Sequence, residues 1–349
     1  MMRIFVPGRL CLFGEHSDWA GKYRSINPDI EKGYTLIVGA NQGIYANIKP
    51  HPHDLMFQAT LNDGSRYEPI RLPMQPTALL AEAKKGGFPS YMAGTAYQML
   101  TRYEIAGLEV DNYLTDLPIQ KGLSSSAALC VLIARAFNRL YHLQLSIREE
   151  MEMAYLGERT TPSLCGRMDQ ACAFGNQPIL MTFDGDRVAL ETLTVKQALF
   201  LVIVDLGGRK DTQKILSDLN RGYPFPENPI HQKVQHYLGA INAQVIPQAV
   251  AAVQQGEAQR LGGLMNWVQA EFDRHLIPAC PDQLTAPKLH RLLSHPALQP
   301  VIFGGKGVGS QGDGAAQLVA KNQASQAQAI AIIHRDFPEM QALSLTISP

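Results

Sequence analysis

The sequence predicts a two-domain α+β protein, and three observations predict it. Strand-like runs rich in β-branched and aromatic residues crowd the first part of the chain. Long helical patterns take over later. The length of 349 residues also exceeds what a single hydrophobic core usually organises. A break near 184–198 is expected to divide the chain into domains at 1–190 and 191–349.

The strand-like runs lie at 3–6, 10–13, 35–48, 55–61 and 108–115. From Ser124 the pattern changes: Leu129, Leu132, Ile133, Ala136, Phe137 and Leu140 recur at three and four positions, which places them on one helical face. A second helix is expected over 147–159 and a short third one near Cys165. Strand character returns at 177–183 and 199–206. Beyond it come Ala- and Gln-rich helices, a short strand at 301–304, more helix from Gly312 and a last strand around 343–347.

Composition narrows the function classes. Hydrophobic residues make up 46% of the chain and charged residues 18%, which argues for packing and against disorder. Lys plus Arg and Asp plus Glu both number 31, so no electrostatic footprint for nucleic acid or an anionic membrane is present. An anionic ligand must be met locally. Cys11, Cys130, Cys165, Cys172 and Cys280 form no C-x-x-C pair, which gives neither a disulfide framework nor a zinc site. Arg3, Pro7 and Arg9 interrupt the apolar start too soon for a signal peptide, and no run reaches the roughly 18 apolar residues of a membrane span. The expectation is a cytoplasmic protein.

Three segments carry chemistry. In PGRLCLFGEHSDWAG (7–21) an apolar strand opens through one glycine into Glu15, His16, Ser17 and Asp18. A polar turn accounts for that pattern, and so does a strand end that presents hydrogen-bonding groups to a polar ligand. In KGLSSSAAL (121–129) three serines stand where a long helix begins. One serine caps a helix, but three exceed what a cap needs, and an exposed helix N-terminus is an anion site. No G-x-x-x-x-G-K-[ST] occurs. In LCGRMDQACAFG (164–175) Asp169 opens a helical run, where it is either a dipole partner or a candidate base.

A second glycine-rich segment, FGGKGVGSQGDGAAQ (303–317), follows a short strand and precedes expected helix. Gly307, Gly309 and Gly312 match G-x-G-x-x-G, but the acidic residue about 20 positions on is Asp336, and the helical QAQAIAIIHR between leaves out the second strand a dinucleotide fold needs.

Taken together, GLSSSAA, GGKGVGSQGDG and PGRLCLFGEHSDWAG resemble the phosphate loop, the C-terminal glycine loop and the galactokinase-branch signature of the GHMP kinases. That superfamily holds galactokinase, homoserine kinase, mevalonate kinase and phosphomevalonate kinase. The resemblance runs in order from residue 7 to 314. It implies a two-domain GHMP kinase fold, with an N-terminal ribosomal protein S5-like α/β domain and a C-terminal ferredoxin-like α+β domain.

It also implies an ATP-dependent, Mg²⁺-assisted kinase acting on a monosaccharide hydroxyl, the anomeric one by the galactokinase likeness. Arg9 would stand beside the transferring phosphoryl group and Asp169 would take the acceptor's proton. Glu15, His16 and Asp18, with Gly166, would bind the sugar. Lys121, Gly122, Leu123, Ser124, Ser125, Ser126 and Ala127, with Gly307 and Gly309, would bind the nucleotide, and Ser126 and Glu158 the metal. The partners implied are sugar and ATP, without nucleic acid or membrane, in a monomer or homodimer.

The chain departs from the family in several places. Gln120 and Lys121 precede Gly122 where small residues are usual, and Gln311 and Asp313 interrupt the glycine loop. KYRSINPDIEKG (22–33) resembles an insertion after the sugar signature. VDLGGRKDTQKIL (204–216) does not match the segment that completes the galactokinase sugar site; its Arg209 and Lys210 either meet phosphate or solvate a helix start. Trp19 either stacks on a sugar or plugs an interface. His51 and His53 are spaced for a metal, yet read as a surface loop. Two rival functions stand beside the sugar kinase: a mevalonate- or homoserine-type alcohol kinase, and a non-catalytic sensor of sugar and nucleotide.

Overall fold

The structure, a computed structural model, describes residues 1–60, 64–117, 123–163 and 165–349. Its strands begin with β1 (Met2–Phe13), β2 (Gly33–His51), β3 (Asp54–Ala59), β4 (Ile70–Pro73) and β5 (Gly107–Thr115), followed by β6 (Ile179–Asp184), β7 (Arg187–Thr192) and β8 (Leu199–Asp205). The last three are β9 (Ile302–Gly307), β10 (Ala315–Ala320) and β11 (Gln341–Ile347). The helices open with α1 (Ser17–Ala20), α2 (Pro76–Lys85), α3 (Phe88–Leu100), α4 (Ser125–Leu140) and α5 (Ile147–Arg159). They continue with α6 (Thr212–Asn220), α7 (Pro229–His236), α8 (Asn242–Gln255), α9 (Ala258–Leu276), α10 (Pro281–Leu284), α11 (Pro287–Leu293) and α12 (Gln323–Asp336). Mixed α/β composition and two sheets agree with the α+β expectation.

The chain forms two compact units, 1–9 with 39–176, and 10–38 with 177–349. Strands β1 and β2 each pass from one unit into the other. The runs expected separately at 3–6 and 10–13 are one strand, β1, which continues through Pro7. Among the described residues β1 pairs only with β2, and an edge strand tolerates proline's missing N–H.

In the first unit β3 lies between β4, antiparallel, and β5, parallel, and β5 pairs antiparallel with β2. Helices α3, α4 and α5 pack on one another. The apolar periodicity of α4 predicts one buried face, but every residue from Ala127 to Phe137 is buried, Arg135 included. Arg135 is tolerated there because Glu150 of α5 pairs with it, Nε to Oε2 at 2.8 Å. Helices α3 and α5 approach closely at Gly94 and Gly157: a Cβ on Gly94 would stand 2.3 Å from the Gly157 carbonyl oxygen. That contact fixes the height of the next residue, Glu158. Neither α2 nor α3 is legible in the hydrophobic pattern used above.

In the second unit the start of β2 pairs with β6, and β6 with β7. The stretch expected to separate domains therefore contains β7. A four-stranded antiparallel sheet runs β11-β8-β10-β9. Val202, Val204, Leu318, Leu289, Leu292, Ile333 and Phe337 build its core with α11 and α12. Residues after Gly312 form β10 where helix is expected; helix begins only at Gln323, with Asn322 Oδ1 accepting from the Ser325 amide at 2.9 Å. The glycine-rich segment thus joins two antiparallel strands, a geometry without the βαβ unit of a dinucleotide fold.

Among the described residues no helix is long and apolar enough to cross a membrane. Among the described residues no disulfide joins any of the five cysteines.

Candidate active site

The chemistry-bearing residues of the first unit gather around Asp169, the first residue of a short 3₁₀ turn, Asp169–Phe174. Arg9, 5% exposed, donates to its Oδ1 from Nε at 3.1 Å and also from Nη2. The backbone carries Arg9 to the serine loop as well, since its amide donates to the Leu123 carbonyl at 3.1 Å.

Glu158 lies at the last turn of α5, 1% exposed. It accepts from Ser126 Oγ at 2.8 Å, Gln170 Nε2 at 2.7 Å and Ser163 Oγ at 3.3 Å. Burial, then the charge of Asp169, pushes its carboxyl up to about 7, against the pull of those three donors. Ser126 and Glu158 therefore meet. Gln170 and Ser163 are hydrogen-bond partners of Glu158 that the sequence reading missed; a polar pair around an acidic residue gives no periodic signal. Burial likewise pushes up the thiols of Cys130, Cys165 and Cys172, which keeps them protonated packing groups.

Ser124 precedes α4 in a left-handed conformation, φ 54°, and its side chain makes no capping hydrogen bond. The serines do not serve as a cap, so the first-turn amides of α4 keep their hydrogen-bonding capacity. Leu123 and Ala127 are buried, while Ser124, Ser125 and Ser126 are half-buried. Lys121 and Gly122, expected in the same loop, lie outside the described residues, as does Gln120. Gly166 is half-buried, just upstream of Asp169. His51 Nδ1 accepts from the Asp54 amide at 2.9 Å, so that imidazole closes a turn.

In the second unit, Gly14 takes φ 89°, with the Tyr34 carbonyl oxygen 1.9 Å from where a Cβ would stand. Only glycine fits there, and it turns the chain from β1 into Glu15 and His16. Glu15, 4% exposed, is paired with Lys306 of β9, which is fully buried and also donates to the Gly307 carbonyl at 2.8 Å. Lys306 was not singled out from the sequence, because a lysine in a strand normally reads as a surface residue. Gln317 of β10 ties down the same strand end, Nε2 donating to the Cys11 carbonyl at 2.9 Å.

His16 is 5% exposed, with Trp19 Nε1 donating to its Nδ1 at 3.2 Å. Burial, then the charges of Lys210 and Lys306, lowers its pKa to about 3, so the imidazole is neutral. Asp18 is half-buried and accepts from the Trp19 amide at 3.0 Å. Trp19 packs edge-on against Tyr223, ring centroids 5.3 Å apart. The segment 22–33 is tied into the same unit: Tyr23 stacks on Tyr223 at 5.5 Å, Arg24 Nε donates to Asp184 Oδ1 at 2.6 Å, and Asn27 Nδ2 to the Pro224 carbonyl at 3.0 Å.

In the glycine loop, Gly307 ends β9 with its amide donated to Gln269 Oε1 at 2.8 Å, while Gly309 is half-buried at φ 66°. Gln311 is 1% exposed and left-handed at φ 62°, and neither atom of its side-chain amide has a partner among the described residues. Asp313 turns away to the start of α11, Oδ1 accepting from the amides of Lys288 at 2.9 Å and Leu289 at 3.1 Å. Its charge thereby meets a helix N-terminus, which removes the conflict with phosphate that its place in the loop raises. Arg209 is exposed, and Lys210 lies over Gly314 and contributes to the field at His16.

The donor set fits Mg²⁺: a hydroxyl and a carboxylate, both hard oxygen ligands, 2.8 Å apart. Magnesium is usually held by one or two carboxylates together with phosphate.

Residues 90–176 match the GHMP kinases N terminal domain. The chain is 25% identical over 300 residues to the galactokinase of Thermococcus kodakarensis, covering 78% of this chain and 77% of the relative. Among solved structures, Lactococcus lactis galactokinase complexed with galactose superposes with a TM-score of 0.70 at 18% identity, over 99% of this chain and 92% of the other. L. major mevalonate kinase in complex with R-mevalonate gives 0.69 at 19% identity, over 100% and 96%. These likenesses give the protein the GHMP kinase fold.

Proposed function

We propose that this phosphotransferase, whose chain carries a GHMP kinase N-terminal domain, transfers the γ-phosphoryl group of ATP to a hydroxyl of a monosaccharide, the anomeric one. The observation that carries the reading is the ion pair of Arg9 with Asp169, a cation for transferring phosphate beside a carboxylate for the acceptor hydroxyl. Phosphoryl transfer passes through a loose transition state, so the protein's work is positioning and charge stabilisation. Arg9 neutralises charge on the moving group. Asp169 orients the acceptor hydroxyl and takes its proton.

The uncapped start of α4 receives phosphate oxygens, and Ser126 with Glu158 holds Mg²⁺, which supplies charge neutralisation on the phosphates when bound. On the acceptor side, a neutral His16 and the carboxylate of Asp18 suit a polyol, which presents both donors and acceptors. Lys306 is neutralised by Glu15, which argues against an acidic acceptor such as mevalonate.

The test is ATP consumption over a panel of free monosaccharides, with mevalonate and homoserine included. Turnover on a sugar, with phosphorus coupled to the anomeric proton by NMR, supports the reading in full. Turnover on mevalonate or homoserine alone replaces it with the alcohol-kinase reading, and binding without turnover replaces it with the sensor.

A further inference from the structure

We infer that Trp19 is a positioning residue: its indole N–H fixes His16 as the tautomer protonated on Nε2, so that His16 meets the acceptor alcohol only as a hydrogen-bond donor. The second half of this inference rests on the proposed sugar kinase reading. The first half does not.

The argument starts from an asymmetry of side chains. An indole nitrogen donates and never accepts, whereas a neutral imidazole has one nitrogen of each kind. Trp19 Nε1 lies 3.2 Å from His16 Nδ1. Nδ1 must therefore be the bare, accepting nitrogen, since a proton there would set two donors against each other. A doubly protonated ring meets the same conflict and faces Lys210 and Lys306 as well. The proton then resides on Nε2.

That atom is buried and has no hydrogen-bond partner among the described residues. A buried unpaired donor destabilises the protein that carries it. Such a cost is sustained at a site whose partner arrives with a ligand, and the partner must offer a lone pair. A sugar hydroxyl oxygen or ring oxygen does so.

Trp19 is itself held in place. Its ring packs edge-on against Tyr223, which stacks on Tyr23, and its amide donates to Asp18 Oδ1 at 3.0 Å. The residues 22–33 thereby reach His16 through Trp19: Tyr23 buttresses Tyr223, Tyr223 buttresses the indole, and the indole sets the proton. The left-handed backbone at His16, φ 70°, holds the imidazole at that place.

The experiment has one arm free of any substrate. Long-range proton–nitrogen correlation on protein labelled at histidine, with His16→Gln to assign the signal, should find a pyrrole-type Nε2 and a pyridine-type Nδ1 at neutral pH. A pyrrole-type Nδ1 in the wild type overturns the proposal whatever the substrate is. In Trp19→Phe, which keeps an aromatic ring and loses the N–H, both tautomers should appear. The KM for the best acceptor should rise roughly 3- to 10-fold, with that for MgATP changing less than about twofold. An unchanged tautomer and an unchanged KM overturn the role of Trp19.

Should Trp19→Phe fail to fold, the wild-type spectrum still decides the tautomer. His16→Gln, which puts an amide donor near the place of Nε2, should then retain more acceptor use than His16→Leu; equal loss in both overturns the donor role. A scan of deoxy and deoxyfluoro sugars completes the test, because fluorine accepts weakly and cannot donate. At the position His16 serves, the fluoro analogue should outperform the deoxy one, and the reverse order overturns the donor assignment. If no sugar is phosphorylated while the tautomer is as inferred, the sugar kinase reading fails and the Trp19 lock stands.

Discussion

Arg9 and Asp169 lie 160 residues apart in sequence and meet through a single carboxylate oxygen, Oδ1, which receives both Nε and Nη2 of the guanidinium. Oδ2 lies outside that pair. In the proposed function that arrangement separates two tasks on one side chain, holding the arginine with one oxygen and leaving the other to address an acceptor hydroxyl.

Asp169→Asn should accordingly keep the shape and lose the base. Turnover should fall roughly 10²- to 10⁴-fold while calorimetry still detects nucleotide and acceptor. Arg9→Ala should also lower turnover, and the double variant should lose less than the product of the single losses, because the two act as a unit. Multiplicative losses would separate them.

Glu158 makes stability depend on pH. Its folded pKa of about 7 lies above the ordinary 4.5, so between those values the folded state binds more protons than the unfolded state. The stabilisation is complete below about 4.5 and is lost as pH rises through 7. Without nucleotide and metal, denaturation should show a loss of about 3 kcal/mol between acid and pH about 8. Glu158→Gln, neutral at every pH, should flatten that slope; an equal slope in both proteins would clear Glu158.

Ser126→Ala removes the 2.8 Å hydroxyl donor to Glu158 and, in the proposed function, a magnesium-side oxygen. The KM for MgATP should rise far more than the KM for the acceptor, and the gap should widen at low magnesium. Unchanged kinetics at low magnesium would take Ser126 out of the site.

The buried pair of Lys306 with Glu15 should be costly to break and cheap to replace. Lys306→Met leaves the Glu15 carboxylate, 4% exposed, without its cation, a loss of about 3–5 kcal/mol by chemical denaturation. Glu15→Gln combined with Lys306→Met should recover much of it. A double variant as unstable as the sum of the singles would mean that the two do not act as a pair.

Asp18→Ala should lower kcat/KM for the best sugar by about 5- to 150-fold and leave MgATP use intact, since a lost partner to a substrate hydroxyl costs roughly 1–3 kcal/mol. A sugar profile that does not change would make the polar strand end a turn and nothing more.

By itself the sequence determined the α+β class, the place of most strands and the long helix from Ser125, and it marked Glu15, His16, Asp18, Ser126 and Asp169 as candidates, whereas Arg9 and Glu158 entered only through the resemblance to the GHMP kinases. Those features are local: period two, period 3.6, glycine punctuation and clustered polar residues are written in neighbouring positions. Tertiary structure decided the rest, because partners distant in sequence leave no such mark. Nothing in the pattern around Lys306 announces a fully buried lysine whose counter-charge is Glu15, and nothing around Gln170 announces the donor to Glu158. The stretch after Gly312 has the small residues of a helix, yet pairing with β8 and β9 makes it a strand. Asp313 reads as a charge set against phosphate until the amides of α11 appear beside it. In each case the outcome was set by what a side chain or strand met across space, where a buried polar group must find its complement.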